Sequence, residues 1–311
     1  MSIATELVDL SNNLQNAKTA VSAKGGTVGD TGLSGLASEI GSIPTGGGTI
    51  TSYGTVTYID TNTAEKTIEM ATEIDFLELT IGGSGINIII NGATIGKSNI
   101  KSVTVGDGVQ YLPNNFMYGC SGALTVNLPS SIHFVGSGVF MGCSVLDSAL
   151  NLDNVVYIGS NFMNSCSAFN QPISLPKVND IGSYFMQNCT SFNSAITIND
   201  DAEVIADRFM IGCSNFAQSF SIPSGLISTS AVTNNPGQRF MQNCNKFTGP
   251  LVCNFSVSSK FPTDNYTLTT TGASNPIYAI GVTLTGPYAQ AWKTALPDRT
   301  SSPYRKLVIE S

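Results

Sequence analysis

The pentapeptide FMQNC occurs twice in this chain of 311 residues, at Phe185–Cys189 and again at Phe240–Cys244. Four looser copies, FMYGC, VFMGC, FMNSC and FMIGC, also end in a cysteine, at Cys120, Cys143, Cys166 and Cys213. In chain order the six cysteines are 23, 23, 23, 24 and 31 residues apart. A period in this range is typical of a solenoid, in which each repeat stacks on the previous one.

Each repeat places two apolar residues at positions i and i+2, followed by a turn, a second apolar pair and the aromatic-methionine segment. The first pair recurs as Val103 and Val105, Val126 and Leu128, Ile173 and Leu175, and Ile196 and Ile198. Residues two apart in a strand point to the same face of a sheet. The pattern therefore predicts one inward-facing strand in each repeat, after which the chain turns back to begin the next.

The segment SLPKVNDIGSYFMQNCTSF at Ser174–Phe192 closely resembles the BspA-like class of bacterial leucine-rich repeats. That class has the pattern L-x-x-I-x-L-P-x-x-V-x-x-I-G-x-x-A-F-x-x-C-x-x-L, and the resemblance covers about residues 100–255. Methionine usually replaces the family's Phe three residues before the cysteine, and only Phe140 keeps the family's position. The C-terminal segment around Trp292 also resembles the closing cap of that family, a short helix followed by a final strand.

The first 24 residues carry an apolar seam with alternating spacings of four and three, which indicates a helix. Its members are Ile3, Leu7, Leu10, Leu14, Ala17 and Val21. Two arrangements stay open, a helical hairpin within one chain and a short parallel bundle between subunits. Residues 10–43 are similar to a short module near the N-terminus of bacteriophage tail or fibre proteins. We therefore predict that the six seam residues serve oligomerisation or anchoring.

The predicted fold class is an α+β repeat protein, a leucine-rich-repeat solenoid with an N-terminal helical module and a C-terminal cap. The helical module takes residues 1–43, and a Gly-rich linker takes residues 44–52. Residues 53–99 are a β-rich lead-in, with strands predicted in TVTYID, EIDFLELTI and GINIIING. Either this lead-in is a separate domain or it forms the first turns of the solenoid. The repeats fill residues 100–258 and the cap residues 259–311.

Charged residues make up only 11% of the chain, against about 25% in an average domain. Ser, Thr, Asn and Gly supply the polar surface instead. The formal net charge is −7, and no cluster of Lys and Arg could neutralise a run of phosphates. We therefore expect neither nucleic-acid binding nor membrane insertion, since no apolar run approaches the roughly 20 residues that a membrane helix requires. The opening MSIATELVDL lacks the basic region of a secretory signal.

The cysteines invite three chemical interpretations: disulfides, a metal site and a nucleophile. Zinc requires closely spaced cysteines or partner histidines, and His133 is the sole histidine. One cysteine per repeat and an odd total of seven argue against disulfides. A free cysteine packs as a small, easily buried apolar residue. We predict a structural core column of Cys120, Cys143, Cys166, Cys189, Cys213 and Cys244, with Cys253 at the strand position of Leu175.

Three other segments were weighed as sites, and none predicts chemistry. NGATIGKS has only three residues between Gly92 and Gly96 and is followed by a strand, so it lacks the helix of a phosphate loop. NDDAE at 199–203 lacks the ligand order of an EF-hand. His133 is flanked by Ile132 and Phe134 and favours a structural role over that of a general base. We expect no catalytic residue, metal site or cofactor.

The predicted function is that of a non-enzymatic bacteriophage virion protein, in a tail fibre, baseplate or capsid fibre or decoration. The repeats would bind a protein or glycan for host adhesion, and the alternative is a bacterial cell-surface leucine-rich-repeat adhesin. Expected partners are other virion proteins and a host surface protein or glycan, in a homo-oligomer that is a trimer in the usual fibre arrangement. The extra seven residues before Cys244 predict a partner-binding loop at Thr229, Thr233, Asn234 and Asn235. The predicted location is the virion, after synthesis in the host cytoplasm.

Overall fold

The chain divides into two units, 1–49 and 50–311, and the described residues belong to the second. A computed structural model describes residues 50, 52–73, 75–76, 79, 87–90, 93–122, 124–226, 240–241, 243–247, 249–254, 283–295 and 308–309. The predicted helical module at 1–43 lies outside these residues. Within the described part of the chain, no helix has the length and apolar character needed to span a membrane.

The first strands close one edge of the repeat sheet. Gly54–Ile59 and Glu65–Glu69 form an antiparallel hairpin, and Gly54–Ile59 also pairs antiparallel with Ile100–Val105. Thr125–Asn127 then pairs with Ile100–Val105 in parallel. Because the hairpin occupies the open edge of the first repeat strand, it satisfies backbone groups that would otherwise face solvent. Asn87–Ile90 and Ala93–Gly96 form a second antiparallel hairpin.

The strand predicted in EIDFLELTI is wrong, because Glu73, Asp75, Phe76 and Leu79 are helical. Thr72 begins the helix with reciprocal hydrogen bonds, in which Asp75 N donates to Thr72 Oγ1 (3.2 Å) and Thr72 N donates to Asp75 Oδ2 (3.0 Å). This is a capping box with Asp in the acidic position. Phe76 and Leu79 are three residues apart and both buried, as expected of one helical face.

Two sets of parallel strands form the solenoid, and most repeats contribute to both. The long strands, together called the long-strand ladder, continue as Ile173–Leu175, Ile196–Ile198, Phe220–Ile222, Leu251–Cys253, Thr283–Thr285 and Val308–Ile309. They belong to three separate sheets, and residues 149–152 form no strand. The short-strand ladder contains Tyr111–Leu112, Phe134–Val135, Tyr157–Ile158, Asp180–Ile181 and Val204–Ile205. In the long strands the predicted i, i+2 residues point inward: Ile173 and Leu175 are buried and Ser174 is exposed.

Phenylalanines stack through the interior in two columns. Ring centroids are 5.4 Å apart for Phe162–Phe185, 5.1 Å for Phe185–Phe209 and 5.2 Å for Phe209–Phe240. The second column contains Phe169, Phe192, Phe216 and Phe247, three residues after each cysteine, with centroids 5.6–6.1 Å apart. Phe140 lies one sequence position later in its repeat, yet its ring still contacts that of Phe162 at 5.5 Å. The shifted Phe-Met register therefore keeps an unbroken aromatic column.

The predicted class α+β is wrong, although the repeat solenoid fits the structure. The described residues are almost entirely β, with an α-helix at Ala289–Ala295, a 3₁₀ turn at Lys97–Asn99 and the helical residues near 73–79. Two left-handed positions in each repeat exclude a helix there, such as Asn115 (φ 61°) and Gly119 (φ 72°) on either side of Phe116. Each return segment is consequently a turn with a two-residue strand.

Side chains on the exposed corner form a separate ladder that the sequence did not predict. Asp147 Oδ1 accepts from Asn170 N (2.7 Å), Asn170 Oδ1 from Asn193 N (2.7 Å), and Asn193 Oδ1 from Ala217 N (2.9 Å). A side-chain oxygen thus satisfies a backbone donor of the next repeat. Short Asn and Asp side chains suit this role because they reach one repeat spacing without bending the backbone.

Replacing Gly182 by Ala is expected to lower the free energy of unfolding by about 1–3 kcal/mol. A Cβ at Gly182 would lie 2.5 Å from Ser160 N and 2.6 Å from Gly159 C, so the backbone of two repeats would have to separate. Urea titration of Gly182→Ala measures the effect. Ala206 occupies the matching position in the next repeat, so Ala206→Gly is the control and should cost no more than about 1 kcal/mol. Unchanged stability of Gly182→Ala would contradict this repeat spacing.

Candidate binding surface

The six cysteines of the predicted column, and Cys253, are buried and unbridged. Within the column, each thiol from Cys143 to Cys244 donates to a carbonyl oxygen of the preceding repeat, for example Cys143 Sγ to Met117 O (3.0 Å) and Cys189 Sγ to Met163 O (3.1 Å). Cys253 Sγ donates to Leu251 O of its own strand (3.5 Å). The same carbonyl of Met163 accepts from Cys166 N within its own repeat. The position requires a small, buried side chain and a hydrogen-bond donor to the neighbouring carbonyl, and the weak S–H donor of cysteine supplies both.

Burial raises the pKa of five of these thiols and keeps those five protonated. It raises the pKa of Cys244 and of Cys253 to about 12 and raises the pKa of Cys143, Cys166 and Cys213 well above the ordinary value. Since the thiolate is the nucleophile and the metal ligand, this environment opposes both roles. Among the described residues, no group of three His, Cys, Asp or Glu side chains could hold a metal ion.

Some of the other sequence-predicted site residues lie outside the described part of the chain, and the rest lie within the repeats. The loop residues Thr229, Thr233, Asn234 and Asn235, and the seam Ile3, Leu7, Leu10, Leu14, Ala17 and Val21, lie outside the described residues. His133 is half-buried, with Nδ1 2.6 Å from the carbonyl oxygen of Ser131. In NDDAE, Asp200 accepts hydrogen bonds from Ser224 N (2.9 Å) and Oγ (2.7 Å), which link two successive turns.

The outer side of the long-strand ladder is polar and lacks charge at its central positions. We call this surface the polar strand face, and it consists of the exposed residues Thr104, Asn127, Ser174, Thr197 and Ser221. Asn127 Nδ2 donates to Thr104 Oγ1 (3.1 Å) across neighbouring strands. Hydroxyl and amide groups at the repeat spacing offer a partner alternating donors and acceptors without an electrostatic preference.

The outer side of the short-strand ladder begins with aromatic residues. Tyr111 is paired in register with Phe134, and Phe134 with Tyr157; these three residues are named the aromatic strip. The following residue of each strand, Leu112, Val135 or Ile158, is buried. Sequence reasoning missed the strip, although one signal was available: an aromatic residue directly precedes the inward aliphatic residue in three successive repeats.

An arginine and a tyrosine pair on the repeats beyond the strip. The Arg208 guanidinium lies over the Tyr184 ring, 4.8 Å from its centroid, and Nη1 donates to the Tyr184 hydroxyl. Both residues have a left-handed backbone, with φ 62° at Tyr184 and 59° at Arg208. Asn115, Gly138 and Asn161 occupy the matching position in earlier repeats and tolerate that backbone more readily. The cation–π contact offsets part of the strain.

Comparison with known families agrees with this geometry. Residues 87–217 match the family described as the BspA type leucine rich repeat region, in six copies. This segment is therefore similar to the BspA-type leucine-rich repeats. The repeat region therefore includes both the polar strand face as far as Thr197 and the entire aromatic strip, while the hairpin at Gly54–Ile59 precedes it.

One solved structure is similar to this chain. It is a leucine rich cell surface protein from Faecalibacterium prausnitzii A2-165, with 18% sequence identity and a TM-score of 0.44. The likeness covers 64% of this chain and 52% of that protein, so the chain spans about half the length of that neighbour. Comparison with curated proteins gives no match.

Proposed function

We propose that this chain is a non-enzymatic adhesin of the bacterial cell-surface leucine-rich-repeat type. The observation that carries the proposal is the polar strand face, where uncharged hydroxyl and amide groups recur on consecutive strands of the BspA-type repeat region. A rigid stack of this kind presents an extended surface suited to holding a macromolecule. The partner would be a surface macromolecule of another cell, and display would be on the cell surface.

The bacteriophage virion role predicted from residues 10–43 has no support among the comparisons, which concern the repeat region alone. The buried cysteines and the half-buried His133 favour a non-catalytic role. Adhesion through a regular repeat surface needs neither a nucleophile nor a general base, and this agrees with the chemistry of the described residues.

Binding of the fluorescently labelled full chain to intact bacteria and cultured epithelial cells, followed by flow cytometry, tests the proposal. We expect saturable binding that Ser174→Glu/Thr197→Glu weakens about tenfold or more, because two carboxylates would be placed in the centre of the polar strand face. Asn62→Glu, on the exposed turn of the first hairpin, is the control and should bind normally. Absence of saturable binding, or equal binding by both variants, would refute the proposal.

A further inference from the structure

The aromatic strip is a continuous column. Tyr111, Phe134 and Tyr157 are register partners on neighbouring parallel strands, so successive side chains lie about 4.8 Å apart along the stack. Their inward neighbours are fully buried, and alternation along each strand therefore directs the aromatic rings outward. Asp180 and Val204 continue the ladder, which limits the strip to three repeats.

Exposure distinguishes the strip from the rest of the solenoid surface. The side chains of Tyr111 and Tyr157 are 46% and 37% exposed, and they are two of the five large apolar residues exposed in the described part of the chain. Phe134 between them is half-buried. Cross-strand side-chain pairs on the outer side of a sheet contribute little to its stability compared with core packing. A polar residue could replace either exposed tyrosine at little cost to the core.

The residues that flank the strip within its own strands carry no formal charge, and Asp180 is the register partner of Tyr157 at one end. Gln110, His133 and Val156 precede the three aromatic residues, and Pro113, Gly136 and Gly159 follow the inward residues. Gly136 and Gly159 are buried and let neighbouring repeats approach closely, since a Cβ at either position would lie 2.7 or 2.6 Å from backbone of the preceding repeat. Ser137 and Ser160 come next and are half-buried. Amide and hydroxyl groups therefore border the strip along the chain.

This combination suits a carbohydrate better than a charged polymer. Aromatic faces pack against the C–H faces of pyranose rings, while amide and hydroxyl groups exchange hydrogen bonds with sugar hydroxyls. Asp180 at the end of the column and the net charge of −7 disfavour an anionic polymer. The strip is one side chain wide, which is narrow for a protein interface of standard size.

We infer that Tyr111, Phe134 and Tyr157 form a binding site for a neutral, extended polysaccharide, with sugar rings stacked on the two tyrosines. The tyrosines are two repeats apart, about 10 Å, which resembles the length of a disaccharide in an extended β-linked chain. The site lies on a different ladder from the polar strand face. The inference goes beyond the proposed adhesin function and does not depend on it.

Affinity electrophoresis of the full chain tests the site, with hydroxyethyl cellulose, xyloglucan, mixed-linkage β-glucan and galactomannan in separate gels. We expect retardation by at least one of these neutral polymers, weakened about tenfold or more in Tyr111→Ala/Tyr157→Ala. Tyr111→Phe/Tyr157→Phe retains the stacking faces and should stay within about threefold of the parent. Tyr288→Ala removes an exposed tyrosine elsewhere in the described residues and should change nothing.

Several outcomes would overturn the inference. The first is no retardation by any neutral polymer, and the second is retardation only by the anionic polymer polygalacturonate. The third is a loss of retardation in Tyr288→Ala equal to that in the double alanine variant. Normal polysaccharide binding by Tyr111→Ala/Tyr157→Ala would also overturn it. If the parent binds no polysaccharide but Tyr111→Ala/Tyr157→Ala loses cell adhesion, the strip binds a protein partner and the inference is again overturned. Urea midpoints of all variants show whether each is folded. Cell binding through the polar strand face is scored separately with Ser174→Glu/Thr197→Glu, so failure of one proposal is distinguishable from failure of the other.

Discussion

Raising the pH from about 8 to about 10 is expected to remove about 3 kcal/mol from the free energy of unfolding through Cys244 and Cys253 alone. The reason is the buried thiol column. Burial raises the pKa of Cys143, Cys166, Cys213, Cys244 and Cys253 above the ordinary value of 9.0. Each thiol stays protonated in the folded protein but ionises in the unfolded chain, so unfolding releases about one proton per thiol at pH 10.

The sign follows from the direction of the pKa changes. A raised folded-state pKa leaves stability fully present below about pH 9 and removes it as the pH rises toward the folded-state value, about 12 for Cys244 and Cys253. Lys97 acts in the opposite direction, because burial lowers its pKa, but it is a single group. Loss of about 3 kcal/mol from Cys244 and Cys253 is a large fraction of the stability of a typical domain, and the other three thiols act in the same direction. The protein should therefore be strongly destabilised near pH 10.

Urea titrations under reducing conditions at several pH values measure this effect. Cys253→Val removes one thiol at a strand position where other repeats carry Leu or Ile, and should reduce the pH dependence by about one fifth. The result is contradicted if stability stays constant between pH 8 and pH 10. Rapid reaction of native thiols with a disulfide reagent at pH 8 would be a second contradiction, since it would show that the column is open to solvent.

Replacing Phe185 by Ala is expected to lower the free energy of unfolding by about 3–5 kcal/mol. Phe185 has no solvent exposure and stacks between Phe162 and Phe209, with interplanar angles of 19° and 5°. The cavity would sit at the centre of the stack, where neighbouring repeats cannot collapse without bending both ladders. Because repeats contact only their neighbours, loss of this ring weakens both adjacent interfaces.

Urea unfolding at neutral pH measures the loss. Phe185→Leu keeps most of the volume and should cost less than about 2 kcal/mol, while Thr197→Ala on the exposed face should stay within about 0.5 kcal/mol of the parent. A Phe185→Ala variant destabilised by less than about 1 kcal/mol would mean that the aromatic column contributes little to the stack.

Much of the repeat architecture was predictable because its signals are local and recur. A position such as Ile173 or Leu175 is marked by its own spacing, and recurrence in the next repeat removes most of the ambiguity of a short apolar run. The same reasoning identified the cysteines as candidates for one interior column. The hydrogen bond from each thiol to the preceding repeat was not predictable, since it depends on the distance between repeats.

The segment at 73–79 shows where pattern reasoning failed. Its apolar residues fit both a strand and a helix, and without a repeat to compare, the β-rich surroundings favoured the wrong choice. Thr72 and Asp75 carried the deciding information as a capping box. The α+β class rested on the N-terminal module and the C-terminal cap, whereas the described residues are almost entirely β. A return segment with a left-handed residue at each end, as at Asn161 and Ser165, cannot be helical. The amino-acid composition does not predict those backbone angles.

The sequence by itself determined the period of the stack, the inward residues of each strand and the recurrence of one cysteine per repeat, because these follow from spacing along the chain. Only the tertiary structure decided which outward residues become neighbours. Tyr111, Phe134 and Tyr157 are 23 residues apart in sequence, and parallel pairing places them in one column. A surface of this kind depends on the register between strands, and register is set by packing of the whole core rather than by any single repeat.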